Sequence, residues 1–313
     1  MLGLLLALTA CGKSSQQATA DANGLLPVKI GYTSLGAGYA DMYVAADYGI
    51  FQRHGLNAQI VRINDSSQLN ASLASNNVQI GVGVAQDTAS AIMKGTELRY
   101  VAMSEPRYNL EMWASPGINA VEDLRGKKVA ITSPGSLSDF GLTDLLERHN
   151  MKRSDVSAEF VKSIPAEVSA LQSGAVSAIL TQPPNGAETR EKGAQRIATL
   201  SDMPFPLGMY TVKADYVSQN REVVKRFVAA EAEALQFLRS HEAETLKSIQ
   251  KYSGVNNPDL AKYAYDFFLQ VWSTTPRVDE KLVQQAFQEA AQNAHTSPPS
   301  DVSKYVDNSF APQ

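Results

Sequence analysis

Two short segments carry the residue types that grip a small polar molecule. Ser34-Leu35-Gly36-Ala37-Gly38-Tyr39 and Ser133-Pro134-Gly135-Ser136-Leu137-Ser138 each follow a β-type run and precede a helical one. A helix N-terminus offers backbone N–H groups without intrahelical partners and the positive end of the helix dipole, so an oxyanion or other acceptor-rich group is favoured there. Glycine permits close approach to the backbone, and serine adds hydroxyl donors. Ser34, Gly36 and Tyr39 in one loop, and Ser133, Ser136 and Ser138 in the other, are candidate ligand-binding residues. The same serines equally suit N-caps of the helices that follow. A second layer is expected at the next strand ends, from Gln86-Asp87-Thr88 and Thr181-Gln182-Pro183. Asp87 either meets a ligand amine or caps a helix over Thr88 to Met93. Gln182 stands beside two prolines, a rigid mount for an amide. Tyr108, Trp113 and Tyr210 are placed to wall a cleft or to fill a core. The loops hold no Lys, and Arg107 is the one Arg nearby, so a charged anion would rest on dipoles and hydroxyls.

Other chemistry lacks its constellation. No His-x-x-x-His, Cys-x-x-Cys or paired-carboxylate spacing supports a metal site. Gly81-Val82-Gly83 departs from the dinucleotide fingerprint because Gln86 stands where the third glycine belongs. No cofactor and no catalytic residue are therefore expected. His54 and His149 follow equivalent helices, a symmetry that points to capping or packing. A net charge of −4 without a Lys/Arg run argues against nucleic acid.

The loops belong to a duplicated unit. Leu73 and Val78 are matched by Leu171 and Val176, each 98 positions on, and Lys94-Gly95 returns as Lys192-Gly193. Each copy alternates strand and helix, which implies a mainly parallel sheet with covered faces. The 313 residues, 44% hydrophobic and 19% charged, suit two such α/β lobes. In the first copy strands are expected over Val28 to Thr33, Asn57 to Ile63, Val78 to Val84 and Arg99 to Met103. One helix is expected from Tyr39 to Arg53. The last third reads as helical over Arg221 to Gln250, Pro258 to Trp272 and Val278 to Ala294. The expected domains are residues 26–112 with 210–313 as lobe 1 and 113–209 as lobe 2. Two crossings between lobes permit hinge closure.

Several motifs then resemble one family. Ala45 to Leu56, with Gly49, Phe51 and Gly55-Leu56, resembles a stretch of the substrate-binding proteins of ABC importers. The branch is that for nitrate, alkanesulfonates, taurine and thiamine-pyrimidine precursors. Asp123-Leu124-Arg125-Gly126-Lys127-Lys128-Val129 and Ala170-Leu171-Gln172-Ser173-Gly174-Ala175-Val176 are similar to two further motifs of that family, and Val302 to Phe310 to its tail. Ser177 replaces the family's usual acid. The resemblance spans about residues 28 to 310. It implies a type II-like periplasmic binding fold, no enzymatic activity, and delivery of a solute to a permease and its ATPase by a protein expected as a monomer. The loops favour a sulfonate- or carboxylate-like solute. A neutral aminopyrimidine held by Asp87 or Gln182 is the alternative. A yeast relative of this fold makes the thiamine pyrimidine with a cysteine-rich motif that this chain lacks. A ligand-sensing module is the third class.

At the N-terminus, Leu2 to Ala10 is too short to span a bilayer and reads as the apolar part of a signal peptide over residues 1–10. No Lys or Arg precedes it, so another start codon or a longer leader is expected. Leu8-Thr9-Ala10-Cys11 resembles a bacterial lipobox, which implies lipidation of Cys11, the only cysteine. Residues 11–25 then form a polar, flexible tether. The expected location is extracytoplasmic, anchored to a membrane by lipid.

Overall fold

The computed structural model describes residues 17–312. Two five-stranded mixed sheets form the molecule. The strands are β1 (Leu26–Tyr32), β2 (Leu56–Arg62), β3 (Ile80–Gly83), β4 (Leu98–Arg107), β5 (Glu111–Ala114), β6 (Lys128–Ile131), β7 (Ser157–Phe160), β8 (Ala178–Thr181), β9 (Gln195–Thr199) and β10 (Pro204–Lys213). The first sheet runs β2-β1-β3-β10-β4 and the second β7-β6-β8-β5-β9. In each, three strands are parallel and a fourth, β10 or β5, enters antiparallel beside the third. The 98-residue repeat thus recurs as one topology built twice.

Each sheet is covered on both faces. In the first, one face packs under the helices Ala40–Asp47, Arg221–Ser240 and Pro258–Val271 through Tyr43, Phe227 and Phe268. The other face packs under Ser66–Ala74, Ala85–Met93 and Glu280–Asn293 through Leu69, Leu73 and Phe287. In the second sheet the helix Leu137–Arg148 covers one face and Ile164–Gln172 the other. Burial on both sides explains why the strands read as near-continuous apolar runs.

Two expected helices are interrupted. The run expected from Tyr39 to Arg53 divides at Gly49, whose φ of +69° is left-handed. The helix expected from Arg221 to Gln250 breaks at His241, whose ring stacks on Phe237 at 4.0 Å. β4 runs on to Arg107, four residues past its expected end at Met103, because β10 pairs along its whole length.

The chain passes between the sheets twice, from β4 to β5 and from β9 to β10. The passages are bonded together: Tyr108 N–H donates to the Met203 carbonyl and Leu200 N–H to that of Leu110. The boundaries expected at 112/113 and 209/210 fall inside β5 and inside β10. The expected leader, Cys11 and the first part of the tether lie outside the described residues. From Ala18 the chain is already docked, its N–H donating to Asn220 Oδ1 at 2.6 Å. Asp21 is held by Asn57, so residues 18–25 are not the free tether expected there.

Candidate functional site

The loops at the carboxyl ends of both sheets border two adjoining cavities, where ligands of open α/β sheets sit. The first, about 100 Å³, is lined by Ser34, Gly36, Tyr39, Glu105, Asn109 and Gln182, among others. The second, about 210 Å³, is lined by Thr132, Ser136, Ser138, Glu167, Thr181 and Gln182, among others. Gln182, Val84 and Leu137 belong to both. Leu137 comes from the second sheet's loop, so the lobes meet across the first cavity.

Of the expected residues, Ser34, Gly36, Tyr39, Ser136, Ser138 and Gln182 are thus brought to the cleft. Gln182 Nε2 donates to Asn109 Oδ1 at 2.9 Å, and Asn109 Nδ2 donates to Glu105 Oε2 at 2.9 Å. Tyr39 is buried, and burial, then the nearby Glu105, pushes its phenol well above the usual range. Ser136 takes the capping role, its hydroxyl accepting from Asp139 N–H. It also closes a hydroxyl trio with Thr132 and Ser138, at 2.9–3.1 Å.

The remaining candidates line neither cavity. Ser133 is exposed, and its carbonyl accepts from Ser136 N–H. Gln86 is buried, but its amide turns to Glu289. Asp87 points to solvent in the first turn of Ala85–Met93, whose N-cap is Val84, so it is neither the cap nor a wall of the cleft. Tyr108 is fully buried in the second core, stacked on Phe205 at 4.0 Å, its hydroxyl donating to Asp144 at 2.7 Å. Trp113 and Tyr210 are likewise core residues. Trp113 Nε1 donates to Glu111 at 3.1 Å and Tyr210 OH to Asp41 at 2.7 Å. The matched histidines pair with glutamates, His54 with Glu233 and His149 with Glu122.

Sequence reasoning missed Glu105, Asn109 and Glu167. Glu105 is 2% exposed. Burial pushes its carboxyl up to about 8, with Asn109 opposing and Asp41 adding to the rise. Gly38 admits it: a Cβ there would lie 2.5 Å from Glu105 Oε1. Glu167 is fully buried, and burial likewise pushes it up to about 8 against the Thr181 hydroxyl. Among the described residues no Lys, Arg or His borders either cavity. Among the described residues no His/Cys/Asp/Glu group is arranged to hold a metal ion.

The family model described as "NMT1/THI5 like" matches residues 37–245, about two thirds of the chain, a span that takes in the whole second sheet and the first sheet apart from β1. The chain belongs to the NMT1/THI5-like family. A protein of Brucella abortus, named as a binding protein, is 26% identical over 243 residues, covering 75% of this chain and 74% of its own. The periplasmic aliphatic sulphonate binding protein SsuA of Escherichia coli shares the fold, with a TM-score of 0.75 at 19% identity, covering 89% of this chain and 96% of that one. The desulfurization enzyme DSZB shares it too, at 0.67 and 16%, covering 90% and 97%. Members of this fold therefore include a catalyst as well as binding proteins.

Proposed function

We propose that this chain is the extracytoplasmic solute-binding component of an ABC importer. It closes two lobes over a small organic solute and hands it to a permease driven by a separate ATPase. The observation that carries the reading is convergence: loops from both sheets border adjoining cavities that share Gln182. The names borne by the Brucella and Escherichia coli proteins support capture in place of catalysis, and the latter supports a sulfonate group on the solute. In the first cavity such a group meets the Ser34–Tyr39 loop, and the protonated Glu105 carboxyl, neutral at pH 7, is a donor to it. A sulfonate must then bind more weakly as pH rises through about 8, where Glu105 ionises and repels it. Glu105→Gln removes that dependence.

A thermal-shift screen across sulfonates, carboxylates and aminopyrimidines tests the reading. A ligand at 100 times its Kd stabilises by about 2.7 kcal/mol. A screen without a hit overturns it. The aminopyrimidine alternative no longer has Asp87 as a partner and rests on Gln182 with Glu105. Lipidation of Cys11 is proposed on its sequence context. Cys11→Ser is expected to release the protein from membranes on fractionation, and full membrane retention refutes the anchor.

A further inference from the structure

The duplication makes one residue of the second cavity anomalous. The helices Ser66–Ala74 and Ile164–Gln172 are equal in length and 98 positions apart, with N-caps Asp65 and Ser163 bonded alike to the third residue beyond. Position 69 of the first copy corresponds to 167 of the second. Leu69 is a core residue packed beneath the first sheet. Its counterpart, Glu167, is as deeply buried yet carries a carboxyl group.

That carboxyl has almost nothing to bind. Neither Glu167 oxygen has a partner in hydrogen-bond geometry, and the Thr181 hydroxyl, near enough to oppose the rise of its pKa, is not aligned with it either. A buried carboxyl left unpaired is costly, and a leucine at the equivalent place shows that the fold itself does not require it. Glu167 borders the cavity of about 210 Å³, beside the hydroxyls of Thr132, Ser136 and Ser138. Among the described residues it is the one titratable side chain on that lining, and its carboxyl is held neutral by burial. An anion entering there would find no positive side chain.

Resting on the reading of the cleft as the solute site, we propose that the Glu167 cavity is the socket for a cationic nitrogen, ammonium or amidinium, at one end of the solute. Its two oxygens suit the paired N–H donors of an amidinium, and the serine and threonine oxygens accept the remainder. The solute is then bipolar: its acceptor-rich group lies in the first cavity and its cation in the second, with Gln182 between. Binding a cation beside a neutral carboxyl at pH 7 draws off the proton, so capture and proton release are coupled.

Calorimetry of the whole protein at pH 7, in buffers of different ionisation enthalpy, measures that release. The probes are benzamidinium, its neutral counterpart benzyl alcohol, and benzenesulfonate. Benzamidinium is expected to bind with release of close to one proton, and its affinity to rise severalfold from pH 6 to pH 8. Glu167→Gln should abolish the release and weaken benzamidinium at least tenfold, whereas Glu105→Gln should leave the release intact. Glu167→Asp, which keeps a titrating carboxyl, should retain part of it, and melting curves establish that each variant is folded. Benzyl alcohol or benzenesulfonate binding while benzamidinium does not, or benzamidinium binding unchanged in Glu167→Gln, overturns the socket but leaves the cleft as solute site. Failure of all three probes and of the wider solute screen overturns both.

Discussion

At the scale of single residues, two buried glutamates border the candidate cleft. Glu105 and Glu167 titrate near 8 when folded and near the ordinary 4.5 when unfolded. Between those values the native state holds protons that the unfolded state has lost. Their contribution to stability is therefore fully present below about 4.5 and is lost as pH rises through about 8. Replacing Glu167 by Gln removes one such group. The variant is expected to gain on the parent by up to about 1.4 kcal/mol per pH unit across that window. Urea denaturation at pH 5 and pH 8 measures the gap; a gap that does not widen with pH refutes the assignment. Neither glutamate was legible in the sequence. Glu105 sits in Ser104-Glu105-Pro106, a polar stretch that reads as the end of a strand, and only its pairing with β10 carries β4 past it. Glu167 sits in a helix whose Val168 and Leu171 advertise packing. Its meaning emerges when the two copies are compared in space, because the anomaly is a departure from Leu69. Asp87 illustrates the opposite error, since a strand end predicts proximity to the cleft but not the direction of a side chain.

The duplicated strand–loop–helix element was the most legible feature, because in a parallel sheet with both faces covered the apolar runs and the glycine-rich turns recur together. Its boundaries were less so. Gly49 was placed inside a helix, since a glycine there costs only about 1 kcal/mol and its left-handed φ depends on the tertiary path. β9 and its antiparallel pairing were not read at all, because Arg196 and Gln195 mask its short apolar alternation. At the β4–β10 pair the backbone geometry is demanding. Gly208 has φ +57°, and a Cβ there would lie 2.7 Å from the backbone nitrogen of Glu105. The register also shifts between Pro204 and Leu207. Gly208→Ala must push Glu105 aside and adopt a strained conformation, at a cost of about 1–3 kcal/mol. Calorimetric melting is expected to show that loss together with weakened solute binding. A variant unchanged in both rejects Gly208 as the spacer that sets Glu105 in the cleft.

At the scale of the whole molecule, contacts outside the cleft bear on its closure. The helix Pro258–Val271, packed on the first sheet, reaches across so that Tyr263 OH donates to Glu111 of β5 at 2.6 Å. Arg196 of β9 bonds the same carboxylate and the same phenol, and the Arg190 guanidinium lies 4.6 Å from the Tyr263 ring centre and 5.0 Å from that of Trp113. These groups fasten one lobe to the other outside the cleft. Tyr263→Phe removes a hydrogen bond to a buried carboxylate, worth about 1.5–3 kcal/mol, and should move the ligand-free protein toward a more open form. Small-angle scattering is expected to give a larger radius of gyration for the variant without solute and the parental value with it. Identical curves without solute deny the latch any part in closure.

The return of β10 to the first sheet also governs the order in which the molecule can be made. All five strands of the second sheet lie between residues 111 and 199, so that lobe is one uninterrupted length of chain. The first sheet is split: β3 and β4 are synthesised early but cannot be joined until β10 arrives, after the whole second lobe has passed. An emerging chain therefore carries a half-built sheet with an unpaired β3 edge, the kind of surface that invites wrong pairing. Under the proposed export of the chain, this delay is an advantage, since its larger lobe cannot lock before the last third of the chain is present.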